Sequence, residues 1–291
     1  MKSLFVILIS FCTYSLAAQS GFQVVDDSTG AGIPLVNIWI KNSNTGTTSD
    51  ASGRFGIMIK EKDTLILSAL GYQSLEIAAD ELDQTISLKE SLTQLEDVII
   101  EKPKGTEIKS YGAIKSRKSS LYISCGLKPW KIGMIIPKDS AYHNTPFLSK
   151  LKLVTSSDIK DAKFEIQLYA GNDSLKQFPL HDDRIYGHAK KGRKITEVDL
   201  DSLNIRFPDT GLMIVYEFLI IDENKHTYTY TDSDGKKRKD GISYEPKIAV
   251  RDRQFRNSSL SRYSGGKWLS LENNFNKGND YELAIELVMT N

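Results

Sequence analysis

Three stretches hold the residue types that chemistry needs. The first is His181-Asp182-Asp183, with His188 seven residues on. An imidazole and two carboxylates could touch a cation, but a hard cation wants about six to eight converging oxygens. A solvated polar loop fits the stretch better. The second is Thr231-Asp232-Ser233-Asp234-Gly235, which starts like a calcium loop. An EF-hand needs a further oxygen ligand before its glycine and a glutamate after it; Lys236-Lys237-Arg238-Lys239 follows instead. Asp234-Gly235 is a hairpin signal, so the basic run becomes a charged turn tip. The third is His226-Thr227-Tyr228-Thr229-Tyr230. Side chains two apart on a strand share a face. His226, Tyr228 and Tyr230 would then make a row of rings able to stack on sugars, or simply pack across strands. Trp130 and Trp268 are further candidates for such a platform.

Signs of catalysis are scarce. The four histidines form no His-Glu-x-x-His pair, and no Gly-x-Ser-x-Gly elbow occurs. Paired carboxylates that meet only in space leave a hydrolase as the lesser alternative. No catalytic residue, metal or cofactor is expected.

These stretches must be carried by strands. From Gly21 onward apolar residues alternate with polar ones, and turn residues recur every eight to twelve positions, the pattern of sandwiches and barrels. Val36, Ile38 and Ile40 alternate with Asn37, Trp39 and Lys41. The loop Gly46–Ser52 leads to Gly53, and Phe55, Ile57 and Ile59 follow at alternate positions. A phosphate cradle would need a helix after the glycine, so a turn into a strand is expected here. Farther on, Phe147–Val154 and Ala162–Tyr169 alternate, and Leu212–Ile221 is a near-continuous apolar run, expected to be buried on both faces. Tyr281–Met289 alternates again.

The chain has 291 residues, with 38 basic and 37 acidic. It opens with Lys2, an apolar core from Leu4 to Cys12, and small residues to Ala18, the three parts of a secretory leader too short to span a bilayer. Cleavage would leave 37 basic residues against 37 acidic ones. That balance argues against nucleic acid as a partner. It would also remove Cys12 and leave Cys125 alone, so the core rather than a disulfide must stabilise the fold. About 270 residues suffice for two domains.

The order Val24-Val25-Asp26, Thr29-Gly30, Pro34-Leu35, Gly46-Thr47, Asp50, Gly53, Phe55, Gly71-Tyr72 and Leu95-Glu96-Asp97-Val98 resembles the carboxypeptidase-regulatory-like domain of Bacteroidetes exported proteins. The resemblance implies a transthyretin-like, seven-stranded Greek-key sandwich, an accessory module found before outer-membrane receptors and beside peptidases, with no catalytic residues of its own. The C-terminal half resembles uncharacterised partners of that domain and, in architecture alone, carbohydrate-binding jelly rolls. The expected layout is a leader at 1–18, the first sandwich at 19–101, a linker at 102–118 with Pro103 and Gly105, and a jelly-roll-like sandwich at 119–291. The expected protein is all-β, non-catalytic and exported to the periplasm or cell surface, with no membrane span after leader removal. Its partner would be a glycan or an envelope protein; the alternative is an assembly accessory of an outer-membrane receptor or secretion complex.

Overall fold

The computed structural model describes residues 21–43, 45–91, 103–114, 121–173, 176–181, 183–271 and 281–291. The expected leader, Asp182 and the Leu95–Val98 piece lie outside them.

Seven strands build the first domain: β1 (Phe22–Asp26), β2 (Asn37–Ile40), β3 (Gly46–Thr48), β4 (Arg54–Phe55), β5 (Thr64–Ser68), β6 (Leu75–Ala78) and β7 (Thr85–Leu88). They form two sheets, β4-β1-β7 and β3-β2-β5-β6. Val24, Ile38, Phe55, Leu65, Leu67 and Ile86 fill the space between them. Each fully buried aliphatic side chain there contributes about 1.5–3 kcal/mol. The strand expected after Gly53 is shorter than its alternation, because only Arg54 and Phe55 pair with β1. Burial still alternates through Ile57 and Ile59, with Met58 exposed.

The second domain holds β8 (Ile108–Tyr111), β9 (Leu121–Cys125), β10 (Lys131–Ile136), β11 (Phe147–Asp173), β12 (Lys176–Pro179), β13 (Ile185–Asp199) and β14 (Leu212–Phe218). It continues with β15 (Lys225–Thr231), β16 (Lys237–Asp252), β17 (Ser259–Ser264), β18 (Lys267–Ser270), β19 (Tyr281–Leu283) and β20 (Ile285–Thr290). Among the described residues these thirteen strands join one sheet, whose main path runs β15-β16-β11-β14-β10-β17-β18. Ile132, Leu153, Phe164, Ile166, Tyr216 and Leu287 belong to its core. Two expectations change. Phe147–Val154 and Ala162–Tyr169 are one 27-residue strand, because β13 pairs across the polar residues between them, with one register shift between Ser157 and Asp161. Within the stretch read as a linker, Ile108–Tyr111 pairs with β20 and belongs to the second sheet.

The two domains meet along a polar seam. Asn37 and Trp39 share the outer face of β2, and both are buried. The Asn37 amide donates to Glu217 on β14. Arg184 Nη2 donates to the Pro34 carbonyl at 2.9 Å. Behind them Lys131 Nζ lies 2.9 Å from Glu217 Oε2, and Gln167 Nε2 donates to Glu217 Oε2 at 2.6 Å and to Glu165 Oε1 at 3.0 Å. The outer face of β11, Glu165-Gln167-Tyr169, therefore looks into the other domain rather than into water. Burial first, and then the charge of Glu217, push the Glu165 carboxyl up. Burial opposes the charge of Lys131, but Glu217 holds its ammonium above the ordinary lysine range.

Candidate functional site

His226, Tyr228 and Tyr230 stand on one face of β15, as their spacing requires. The rings of His226 and Tyr228 stack with centroids 6.2 Å apart, and those of Tyr228 and Tyr230 lie 6.1 Å apart. Both tyrosines are 43% exposed. A glycine explains how Tyr228 is held. Gly241 is its cross-strand partner, and a Cβ there would meet the Tyr228 ring at 2.8–3.0 Å. The ring thus lies on bare backbone and, among the described residues, stays partly exposed on its outer side. β15 ends the sheet path, so this ladder lines a sheet edge.

Polar groups gather at the foot of the ladder. His226 faces Ser243 across β16, and Ser243, Glu245 and Lys247 follow at alternate positions. Lys247 Nζ lies 2.8 Å from Asp158 Oδ2 and 3.6 Å from Glu245 Oε1. Ser243 Oγ donates to Glu245 Oε1 at 3.3 Å. The Lys247 hydrogen bond leads the effects that hold Asp158 below the usual carboxylate range. Burial does the reverse to Glu245, raising its carboxyl, with Asp158 adding to the rise against Lys247.

The other candidates lie elsewhere. Trp130 stacks on Phe218 with centroids 5.2 Å apart, and lines an open cleft of about 350 Å³ with Tyr122, Arg262 and Leu271. Trp268 packs edge-on to Tyr263 and against Ile135, Met213 and Val215 on the seam side of the sheet. So the structure unites His226, Tyr228 and Tyr230 and leaves both tryptophans outside. His188 Nδ1 sits 3.1 Å from Asp161, while His181 Nε2 accepts from the Leu168 N–H at 3.3 Å. Asp232 accepts from the N–H groups of Asp234 and Lys236 and from Arg238 Nε, as a hairpin turn does. Cys125 is buried, its thiol is pushed up to about 12 by burial, and it donates to the Lys128 carbonyl at 3.1 Å.

The pieces behind the resemblance have structural work. Asp50 Oδ1 accepts from the Ser52 N–H, the Ser52 hydroxyl and the Arg54 N–H, each at 2.8 Å. Asp26 Oδ1 accepts from the Thr29 N–H at 2.7 Å and the Thr29 hydroxyl at 2.8 Å, and Tyr72 donates to its other oxygen at 3.0 Å. One carboxylate thus closes the first turn and ties it to the Gly71-Tyr72 corner of the other sheet. Residues 20–100 match the CarboxypepD_reg-like domain. Over 77 residues the chain is 30% identical to the TonB-dependent receptor SusC of Bacteroides thetaiotaomicron, a match covering 26% of this chain and 8% of the receptor. The chain thus spans a small fraction of that relative's length. A solved structure of infectious bursal disease virus, Gx strain, aligns over 88% of this chain and 57% of its own at 11% identity. Its TM-score of 0.18 carries no argument about fold.

In the CarboxypepD_reg-like domain, hydrogen bonds from the Thr29 hydroxyl and N–H lead the effects that hold Asp26 below the usual carboxylate range. A carboxylate depressed on folding stabilises above its unfolded pKa, about 3.9, and loses that contribution as pH falls through the folded value. Asp26→Asn is therefore expected to lower the melting temperature at neutral pH. Below the folded pKa of Asp26 the difference should shrink, which melting curves across pH will show.

The polar foot of the ladder is what the sequence reading missed. Asp158, Glu245 and Lys247 come from two strands, and only register brings them to His226. The alternation of Ser243, Glu245 and Lys247 was the available signal, but nothing local says which strand lies opposite.

Proposed function

We propose that this is a non-catalytic, exported component of the cell envelope whose second, jelly-roll-like domain binds a glycan along His226, Tyr228 and Tyr230. The exposed ladder carries this reading. Two half-exposed tyrosines and a stacked imidazole offer flat apolar faces at a sheet edge, with Asp158 and Lys247 beside them as hydrogen-bonding groups for hydroxyls. Export rests on the leader-like first residues and on the similarity of the first domain to a segment of a TonB-dependent receptor. Among the described residues no helix is long and apolar enough to cross a membrane. Under this reading the CarboxypepD_reg-like domain is a docking module that the seam holds against the binder.

Replacing Tyr228 and Tyr230 together by Ala should weaken retention on a glycan array by about 10- to 100-fold, from the loss of two stacking faces. Because both rings are partly exposed, the stability change should stay within about 1 kcal/mol. Unchanged retention in a folded double variant would remove the glycan reading. The open edge of β15 supports a second reading, an assembly accessory that adds a partner's strand. Its mark is co-purification of an outer-membrane receptor or secretion component from native membranes, without retention on any glycan.

A further inference from the structure

Asp158, His226 and Glu245 sit on three different strands, yet one donor atom from each lies within 4.8 Å of the others. His226 Nδ1 is 3.9 Å from Asp158 Oδ2 and 3.9 Å from Glu245 Oε1. The Glu245 side chain is 0% exposed. Among the described residues its Oε2 is buried with no hydrogen-bond partner. A buried carboxylate needs a compensating charge. Lys247 supplies one ammonium, but divides it between two carboxylates. Its side chain is 31% exposed, so the ammonium can swing into water without crossing the core.

We propose that Asp158, His226 and Glu245 form a divalent transition-metal site, with zinc as the fitting ion, which Lys247 occupies in competition with the metal. One imidazole nitrogen and two carboxylate oxygens are zinc-type ligands, whereas calcium takes oxygens alone. Zinc bonds of about 2.0–2.1 Å at tetrahedral angles place donor atoms about 3.4 Å apart. The His226 nitrogen then needs to draw in by roughly half an ångström from each carboxylate. A double charge between Asp158 Oδ2 and Glu245 Oε1 would compensate both carboxylates at once. Three protein ligands leave a fourth position, reachable past the half-exposed Asp158, for water or a ligand oxygen. The metal would also fix the His226 ring under Tyr228. The site does not depend on the glycan reading.

Zinc titration of the full chain, without a histidine tag and stripped by chelator, tests this by calorimetry and by melting. One zinc per chain is expected, with a higher melting temperature. His226→Ala should weaken binding at least about 10-fold and abolish the zinc-dependent rise, since it removes one of three ligands. Lys247→Met should tighten zinc binding about 10-fold by removing the competing ammonium. A lysine with a purely structural role would not produce that gain. Glu245→Gln risks misfolding, so the partly exposed His226 and Lys247 carry the decision. Absence of bound zinc, His226→Ala binding equal to the parent, or zinc binding weakened in folded Lys247→Met would each overturn the proposal. Zinc binding without glycan retention would sink the glycan reading alone.

Discussion

Lys131→Met should destabilise the protein by about 3–5 kcal/mol, because it strips a buried carboxylate of its counter-charge. Lys131 Nζ sits 2.9 Å from Glu217 Oε2, with side chains only 12% and 4% exposed. Gln167 and the Asn37 amide also donate to Glu217, but neither carries charge. With Lys131 gone, Arg184 is the cation left beside Glu165 and Glu217 among the described residues, its Nη1 3.4 Å from Glu165 Oε2. Since Asn37 belongs to the first domain, the damage falls on the seam, and the variant's two domains should melt in separate transitions. Acidity should then repair part of the loss. The Glu165 carboxyl is already raised in the folded protein, first by burial and then by Glu217. A carboxyl raised on folding takes up a proton that the unfolded chain leaves in water, so its penalty is relieved as pH falls. Removing Lys131 takes away one charge that held it down. The variant should therefore gain stability relative to the parent on acidification from neutral pH. Adding Glu217→Leu should recover much of the loss, because a missing pair costs less than a bare charge. Calorimetry across pH on the three proteins decides the matter; an unsplit transition within 1 kcal/mol of the parent, on the order of ordinary surface changes, would show that the seam holds nothing together.

That seam also shows where legibility stopped. The alternation of Phe164, Ile166 and Leu168 with Glu165, Gln167 and Tyr169 was plain in the chain, and it placed the first three in the core. It could not tell whether the other face meets water or a second domain, because both accept polar side chains. The same ambiguity hid the role of Trp268 and of Asn37 and Trp39 on β2. Features with local causes fared better. Asp234-Gly235 makes its turn, with Gly235 at φ 76°, and the i, i+2 spacing of His226, Tyr228 and Tyr230 makes their ladder. Asp26 and Asp50 are satisfied mostly by neighbours within four residues, so their spacing to Thr29 and Arg54 was already informative. Asp158 and Glu245 stand 87 positions apart and meet through the register of two paired strands, β11 and β16, which no local pattern encodes.

Gly53→Ala should unfold the CarboxypepD_reg-like domain far more readily than its size of substitution implies. Gly53 closes the Asp50 turn at φ +79°, a region that costs an alanine about 1 kcal/mol. Space is the larger obstacle. A Cβ at Gly53 would lie 2.3 Å from the Val24 carbonyl oxygen and 2.9 Å from the Ile33 nitrogen. Those are backbone atoms, and both are engaged: Ile33 N donates to Val24 O at 2.9 Å, and Val24 N donates to Gly53 O at 2.8 Å. Neither can retreat without opening the contact between β1 and the following loop. Overpacking of this kind adds about 1–3 kcal/mol, so a total near 3 kcal/mol is expected. For a domain of this length that is a melting shift of roughly 12–24 °C. Gly30 provides the control. It shares the positive φ, at +70°, but among the described residues nothing lies within 4 Å of a Cβ there. Gly30→Ala should therefore cost only the conformational part, about 1 kcal/mol. Equal losses in the two variants would mean that backbone conformation alone makes Gly53 necessary. A loss about three times larger at Gly53 places the requirement in the close approach of the turn to β1, the feature that makes this loop a structural signature rather than a ligand site.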